Sequence, residues 1–214
     1  MKNNDFTIYK NTFGTFGLPK NRFKSYCLLL PGFGGDAFSR EDFFKKANVL
    51  GIGIIPINVA IDESIEKILE NNRGMQIFLK AIDESIHSKI KYISANSFGC
   101  YLSMSWIKSN NNSLEKVVFI TPCSLEQLIS IFPQYKGSEN SVSALNENEK
   151  EKANSTVPLK LFTLQHDHLV TYIDKYFLNS FSNIEEEIVN YSNHYEIIDQ
   201  EKTTNKILSE FYHE

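Results

Sequence analysis

Residues 92–107 read YISANSFGCYLSMSWI. The stretch IKYISA (90–95) is short, apolar and β-branched, which predicts a strand. FGCYLSMSWIKS (98–109) then places Phe98, Leu102 and Trp106 four apart, on one face of a helix. Ser97 stands at the junction, with Ala95 two places before it and Gly99 two places after. A polar turn would account for this pattern. So would a hydroxyl held on a sharp strand-to-helix bend, where crowding demands small residues at those two positions.

Working outward, strand-like and helix-like segments alternate. SYCLLLPGF (25–33) and IGIIPINVA (52–60) read as buried strands, with REDFFKKANVLG (40–51) as a helix between them. GMQIFLKAIDESIHSK (74–89) reads as a helix with Ile77, Ala81 and Ser85/Ile86 along one face. Beyond the serine, EKVVFITPC (115–123) and VPLKLFTLQ (157–165) are strands. TYIDKYFLNS (171–180) is a helix, EEIVNYS (186–192) a more polar last strand, and TTNKILSEFYH (203–213) a closing helix. Strands alternating with helices indicate an α/β fold: a mostly parallel central sheet with helices on both faces. Near-continuous apolar strands agree, because both faces of such a sheet are covered.

The chain has 214 residues, 42% of them hydrophobic, enough for one domain spanning 1–214. Residues 124–156 break the rhythm and are expected to be an insertion. SLEQLISIF (124–132) is amphipathic through Leu125, Leu128, Ile129 and Phe132, and NENEKEKANS (146–155) is polar. Loops of this length are commonly lids or solvated inserts. A net charge of −4 leaves no basic stripe for phosphates, so no nucleic-acid partner is expected. No window has the ~18 apolar residues of a membrane span, and the N-terminus lacks a signal-peptide core. Cys27, Cys100 and Cys123 form no CxxC pair and read as reduced core residues of a cytoplasmic protein.

A serine hydroxyl becomes a nucleophile when a base takes its proton and donors hold the oxyanion. A strand-to-helix bend lifts the hydroxyl above the carboxyl end of the sheet. It also puts the Phe98 N–H at a helix N-terminus, where negative charge is favoured. Asp167 lies just past the strand 157–165, and His194 lies in a loop past the last strand, in SNH (192–194). The 194 − 167 = 27 residues between them suffice for one helix and one strand, returning both to one edge of the sheet. PGFGG (31–35) ends an early strand in a glycine-rich loop whose backbone, at Phe33, offers a second N–H.

In the order PGFGG, ANSFG, QHDH, SNH, the chain resembles the α/β-hydrolase superfamily from Leu28 to its end. The resemblance implies Ser97 as nucleophile, His194 as base and Asp167 as the residue orienting it. It also implies an oxyanion hole from the backbone of Phe33 and Phe98. Two positions depart from the usual pattern: Ala95 replaces the first glycine of Gly-x-Ser-x-Gly, and Pro31-Gly32 replaces His-Gly. Strands before Leu28 are expected to be short or missing, as in a small member.

The activity implied is hydrolysis of a carboxylic ester or thioester, with a small-molecule or carrier-bound acyl substrate, no cofactor and no metal. Gly34 and Phe132 are candidate pocket residues beside Phe33 and Phe98. An acyltransferase on the same scaffold is the alternative. A dinucleotide-binding reading of GFGGDA (32–37) leaves the Ser97, Asp167, His194 order unexplained. A non-catalytic binding scaffold leaves it without a purpose. HDH (166–168) has no second ligand cluster of matching spacing, which argues against zinc.

Overall fold

The computed structural model describes residues 5–110, 112–135, 155–190, 194 and 201–211. It opens with a hairpin that the sequence reading leaves out: β1 (Phe6–Asn11) pairs antiparallel with β2 (Gly14–Pro19). Strands before Leu28 are therefore present. The hairpin escapes notice because glycines (Gly14, Gly17) and threonines (Thr7, Thr15) interrupt its apolar alternation. Gly14 takes φ 146° at the turn, where an added Cβ would lie 3.0 Å from the Ala60 nitrogen.

The parallel strands are β3 (Ser25–Leu30), β4 (Ile52–Val59), β5 (Ile90–Asn96), β6 (Lys116–Ile120), β7 (Leu159–Leu164) and β8 (Ile184–Val189). The sheet order is β1-β2-β4-β3-β5-β6-β7-β8, with β2 antiparallel to β4. β5 thus sits in the interior of the sheet, so the bend after it lies over the middle of the carboxyl edge.

Helices are α1 (Glu41–Val49), α2 (Ile65–Ile82), α3 (Glu84–His87), α4 (Phe98–Asn110), α5 (Leu125–Ile131), α6 (Lys175–Ser180) and α7 (Glu201–Ser209). Side chains alternate across the pleat, and the two cores follow that alternation. Cys27 and Leu29 face a core with Phe43, Phe44 and Ala47 of α1 and Ile207 and Leu208 of α7. Leu28 and Leu30 face the other core, with Met75 of α2, Phe98, Leu102 and Trp106 of α4, and Leu125 and Leu128 of α5.

Two details correct the sequence reading of the segment 74–89. The helix begins at Ile65, where the Ser64 side chain accepts from the Lys67 N–H as an N-cap. Ile77 is 71% exposed, and the inward face instead carries Asn71, Asn72, Met75 and Leu79. Asn72 is buried because its amide is satisfied: Nδ2 donates to Leu102 O, and Oδ1 accepts from Trp106 Nε1. A buried amide on an interior face disguises the helical period.

The insertion divides in two. α5 is seated on the core and opens with a capping box between Ser124 and Gln127, whose Nε2 also donates to Tyr172 O. The polar stretch 146–154 lies outside the described residues.

Candidate active site

Ser97 has φ 50°, left-handed backbone that a residue with a Cβ adopts at a cost. Three hydrogen bonds pin it. Its N–H donates to Ile120 O, and its carbonyl accepts from the Cys100 and Cys123 N–H groups. The small residue after it has a plain cause: a Cβ at Gly99 would lie 2.7 Å from Leu30 O and closer still to Pro31 O. The β3 end and the start of α4 are packed backbone to backbone there. Gly32 is similarly confined, since a Cβ on it would meet Ser97 Cβ at 3.1 Å.

Asp167 and His194, far apart in sequence, are joined. His194 Nδ1 lies 2.6 Å from Asp167 Oδ2, and their side chains are 2% and 3% exposed. The other carboxylate oxygen accepts from the Leu169 and Val170 N–H groups, at 2.8 and 2.9 Å. Burial is the largest influence on this carboxyl and pushes its pKa up. The hydrogen bonds from His194, Val170 and Leu169 together outweigh it and hold the pKa below the usual carboxylate range. Asp167 is thus an anion fixed in place, and its bond commits His194 Nδ1.

Ser97 and His194 line one pocket of about 250 Å³ with Gly32, Phe33, Gly34 and Phe132. Of the residues proposed from sequence, Ser97, His194, Phe33, Gly34 and Phe132 meet in this pocket, and Asp167 stands behind His194. Phe98 is placed differently. Its ring is buried in the core, 6.0 Å from Phe33 edge-on, while its N–H opens α4. Among the described residues, no group accepts a hydrogen bond from the Phe33 or Phe98 N–H. Phe132 caps α5 and stacks at a tilt on Phe33, 5.2 Å away.

The sequence reading passed over Arg40, Asn96, Cys123 and Leu169, which also line the pocket. Asn96 alone was signalled, by its place beside Ser97. Cys123 raises the question of a rival nucleophile. Burial, with Asp167 and Asp174 nearby, pushes its thiol up to about 12, so it stays protonated and inert. His166 and His168 are exposed on either side of Asp167. The glycines Gly32–Gly35 do not open a helix as a dinucleotide cradle requires: a 3-10 turn (Ala37–Ser39) follows, and α1 starts at Glu41.

No protein-family model matches the chain, and no curated protein matches it in sequence. Solved structures do match in shape. A predicted CIB-like hydrolase from Thermoplasma acidophilum superposes with TM-score 0.66 at 14% identity, over 96% of this chain and 98% of that one. Est1E from Butyrivibrio proteoclasticus gives 0.67 at 15% identity, covering 97% of both chains. A 2-hydroxy-6-oxo-6-phenylhexa-2,4-dienoate hydrolase from Rhodococcus gives 0.67 at 11%, covering 96% and 98%. With the sheet order and the strand-to-helix bend at Ser97, these matches establish that the chain has the α/β-hydrolase fold.

Proposed function

We propose that the protein hydrolyses a carboxylic ester or thioester through an acyl-enzyme on Ser97. One observation carries the reading: His194 Nδ1 is bonded to the buried Asp167 carboxylate at the wall of a pocket that Ser97 also lines. The names of the structural neighbours, hydrolases and an esterase among them, agree with it.

In this mechanism Ser97 Oγ attacks the substrate carbonyl carbon while His194 Nε2 takes the hydroxyl proton. The tetrahedral oxyanion accepts from the Phe33 and Phe98 N–H groups. Collapse breaks the bond to the alcohol or thiol, which leaves with the proton from His194. Water then adds to the acyl-enzyme with His194 as base, releasing the acid and restoring Ser97. Asp167 keeps the imidazole in the tautomer with Nδ1–H and stabilises its protonated form. No step calls for a cofactor or metal.

The substrate proposed is a small-molecule or carrier-bound acyl group, met in the cytoplasm. Among the described residues, no helix is long and apolar enough to cross a membrane, and all three cysteines are free and buried. Residues 124–156 are proposed as an insertion, of which Leu128, Ile131 and Phe132 line the pocket on what is proposed as its acyl side.

The test is turnover of p-nitrophenyl esters and acyl thioesters of rising chain length by the parent and by Ser97→Ala. Removal of the covalent route should lower kcat by ~10⁴-fold or more. A Ser97→Ala protein within tenfold of the parent would refute the assignment.

A further inference from the structure

Four of the described asparagines are buried: Asn71, Asn72, Asn96 and Asn110, none more than 8% exposed. A buried amide is tolerated when its donors find acceptors. Three of the four find one within the protein. Nδ2 of Asn71 donates to Ala60 O, that of Asn72 to Leu102 O and that of Asn110 to Trp106 O. Asn96 departs from the pattern. Its Oδ1 accepts from the Thr121 hydroxyl at 3.3 Å, while its Nδ2 meets no acceptor among the described residues. That nitrogen keeps contact with solvent, and Asn96 lines the same pocket as Ser97 and His194. The amide therefore holds an unspent donor at the reaction pocket.

The unspent end lies on the oxyanion side of the nucleophile. A Cβ added to Gly32 would lie 3.4 Å from Asn96 Nδ2 and 3.1 Å from Ser97 Cβ. Donor and nucleophile thus flank one small space against Gly32, the residue just before Phe33. Glycine at that position keeps the space open.

The other end of the amide is anchored by a strained residue. Thr121 is 2% exposed and has φ 45°; with Ser97 it is one of two described non-glycine residues at positive φ. A β-branched residue adopts that backbone at a cost, and such outliers persist where the surroundings enforce them. The Thr121 N–H donates to Phe162 O of β7, and the Ser97 N–H donates to Ile120 O, the residue before Thr121. Asn96 and Ile120 are paired in register at the ends of β5 and β6. The two strained residues are therefore locked side by side, and the turn at Thr121 carries its hydroxyl to Asn96 Oδ1.

We propose that Asn96 Nδ2 is a third donor to the oxyanion formed on Ser97, beside the Phe33 and Phe98 N–H groups, and that the Thr121 hydroxyl positions the amide with its nitrogen toward the pocket. The proposal rests on the serine-hydrolase reading for its reaction and on the unspent amide for its residue. No proton is transferred in this role. The N–H gives little to the neutral carbonyl oxygen and more as that oxygen gains charge, so its effect falls on the transition state.

The test is the turnover of p-nitrophenyl acetate and of its thiono analogue, in which sulfur replaces the carbonyl oxygen. Asn96→Leu keeps the branched outline of the side chain without its donors, and should lower kcat for the ester by about 100-fold. KM should stay within about threefold, as for an interaction made only in the transition state. The ratio of ester to thionoester kcat/KM should fall by about tenfold, because a sulfur anion is a poor acceptor and gains less from the donor. A general folding defect cancels in that ratio. Asn96→Asp retains the acceptor for Thr121 and loses the donor, so it should be at least as impaired. Thr121→Val should lower kcat by about tenfold through a misdirected amide, and Thr121→Ser should restore it. An Asn96→Leu ratio equal to the parent's, a loss confined to KM, or an Asn96→Asp protein as active as the parent would overturn the proposal. Turnover that survives Ser97→Ala would remove the hydrolase reading and this inference with it. Turnover that needs Ser97 and is unmoved by Asn96→Leu would remove the inference alone.

Discussion

At Asp167 two opposed effects meet. Burial favours the neutral acid, while three N–H donors favour the anion and prevail. The folded-state pKa therefore lies below the unfolded value of ~3.9. The sign of the linkage follows. The stability this group contributes is fully present above about pH 4 and is lost as pH falls through the depressed folded value. Asp167→Asn should flatten that part of the acid limb in a series of melting temperatures against pH; an unchanged limb would show that the carboxylate is not held as described. The same substitution should lower kcat by roughly 10⁴-fold, since an amide no longer enforces the Nδ1–H tautomer. A collapsed melting temperature with normal activity per folded molecule would instead make Asp167 structural. Ser97 was legible in sequence because its neighbours are constrained: Gly99 is small where the backbones of Leu30 and Pro31 leave no space for a methyl group. Arg40 was not legible. It looks like any charged residue opening a helix, and only the fold brings it to the wall of the pocket.

Elements follow the sequence where one physical signal dominates. The strands from β3 to β7 are largely apolar runs, and α4 has a clean face in Phe98, Leu102 and Trp106. Legibility fails where polar groups are buried or apolar ones are not. α2 hides its inner face behind Asn71 and Asn72 and displays Ile77 to solvent, so periodicity pointed to the wrong side. α5 is a mixed case. Its Leu125 and Leu128 are core residues, each 1% exposed, so the helix is part of the packing more than a hinged cover. Phe132 at its end is half-buried, against Phe33 and Tyr135. The two residues should therefore behave differently. Leu128→Asp places a charge in the core and should destabilise the fold outright. Phe132→Ala should spare the fold and lower kcat/KM for long acyl chains by about tenfold, roughly 1.4 kcal/mol of lost contact. Acetyl esters should lose much less. Equal losses for short and long chains would remove Phe132 from the acyl site.

Across the whole molecule, the segment bearing His194 is fastened at both ends by ion pairs around Lys160. That side chain, on β7, is 6% exposed, and its ammonium lies 2.5 Å from Glu185 and 3.4 Å from Glu187, both on β8. Glu187 also pairs with Lys206 of α7, and Glu210 just beyond α7 bridges Lys160 and Lys116. The strand before His194 and the helix after it are thereby tied to one buried cation. Its energetics should be asymmetric. Lys160→Met leaves glutamates that can turn to water and should cost about 1 kcal/mol or less. Glu187→Gln with Glu210→Gln leaves Lys160 short of counter-charge and should cost more, of order 2 kcal/mol. Urea denaturation of the two variants measures both, and the opposite ranking would mean that Lys160 is solvated in the folded protein.

The central claim is that Ser97, poised by His194 and Asp167, is the nucleophile. A fluorophosphonate probe tests it most directly, because it reacts with an activated serine and needs no knowledge of the substrate. Peptide mass mapping after labelling should place a single adduct on the peptide containing Ser97, absent in Ser97→Ala and formed far more slowly in His194→Ala. An adduct on another residue, or labelling that persists in Ser97→Ala, would contradict the account.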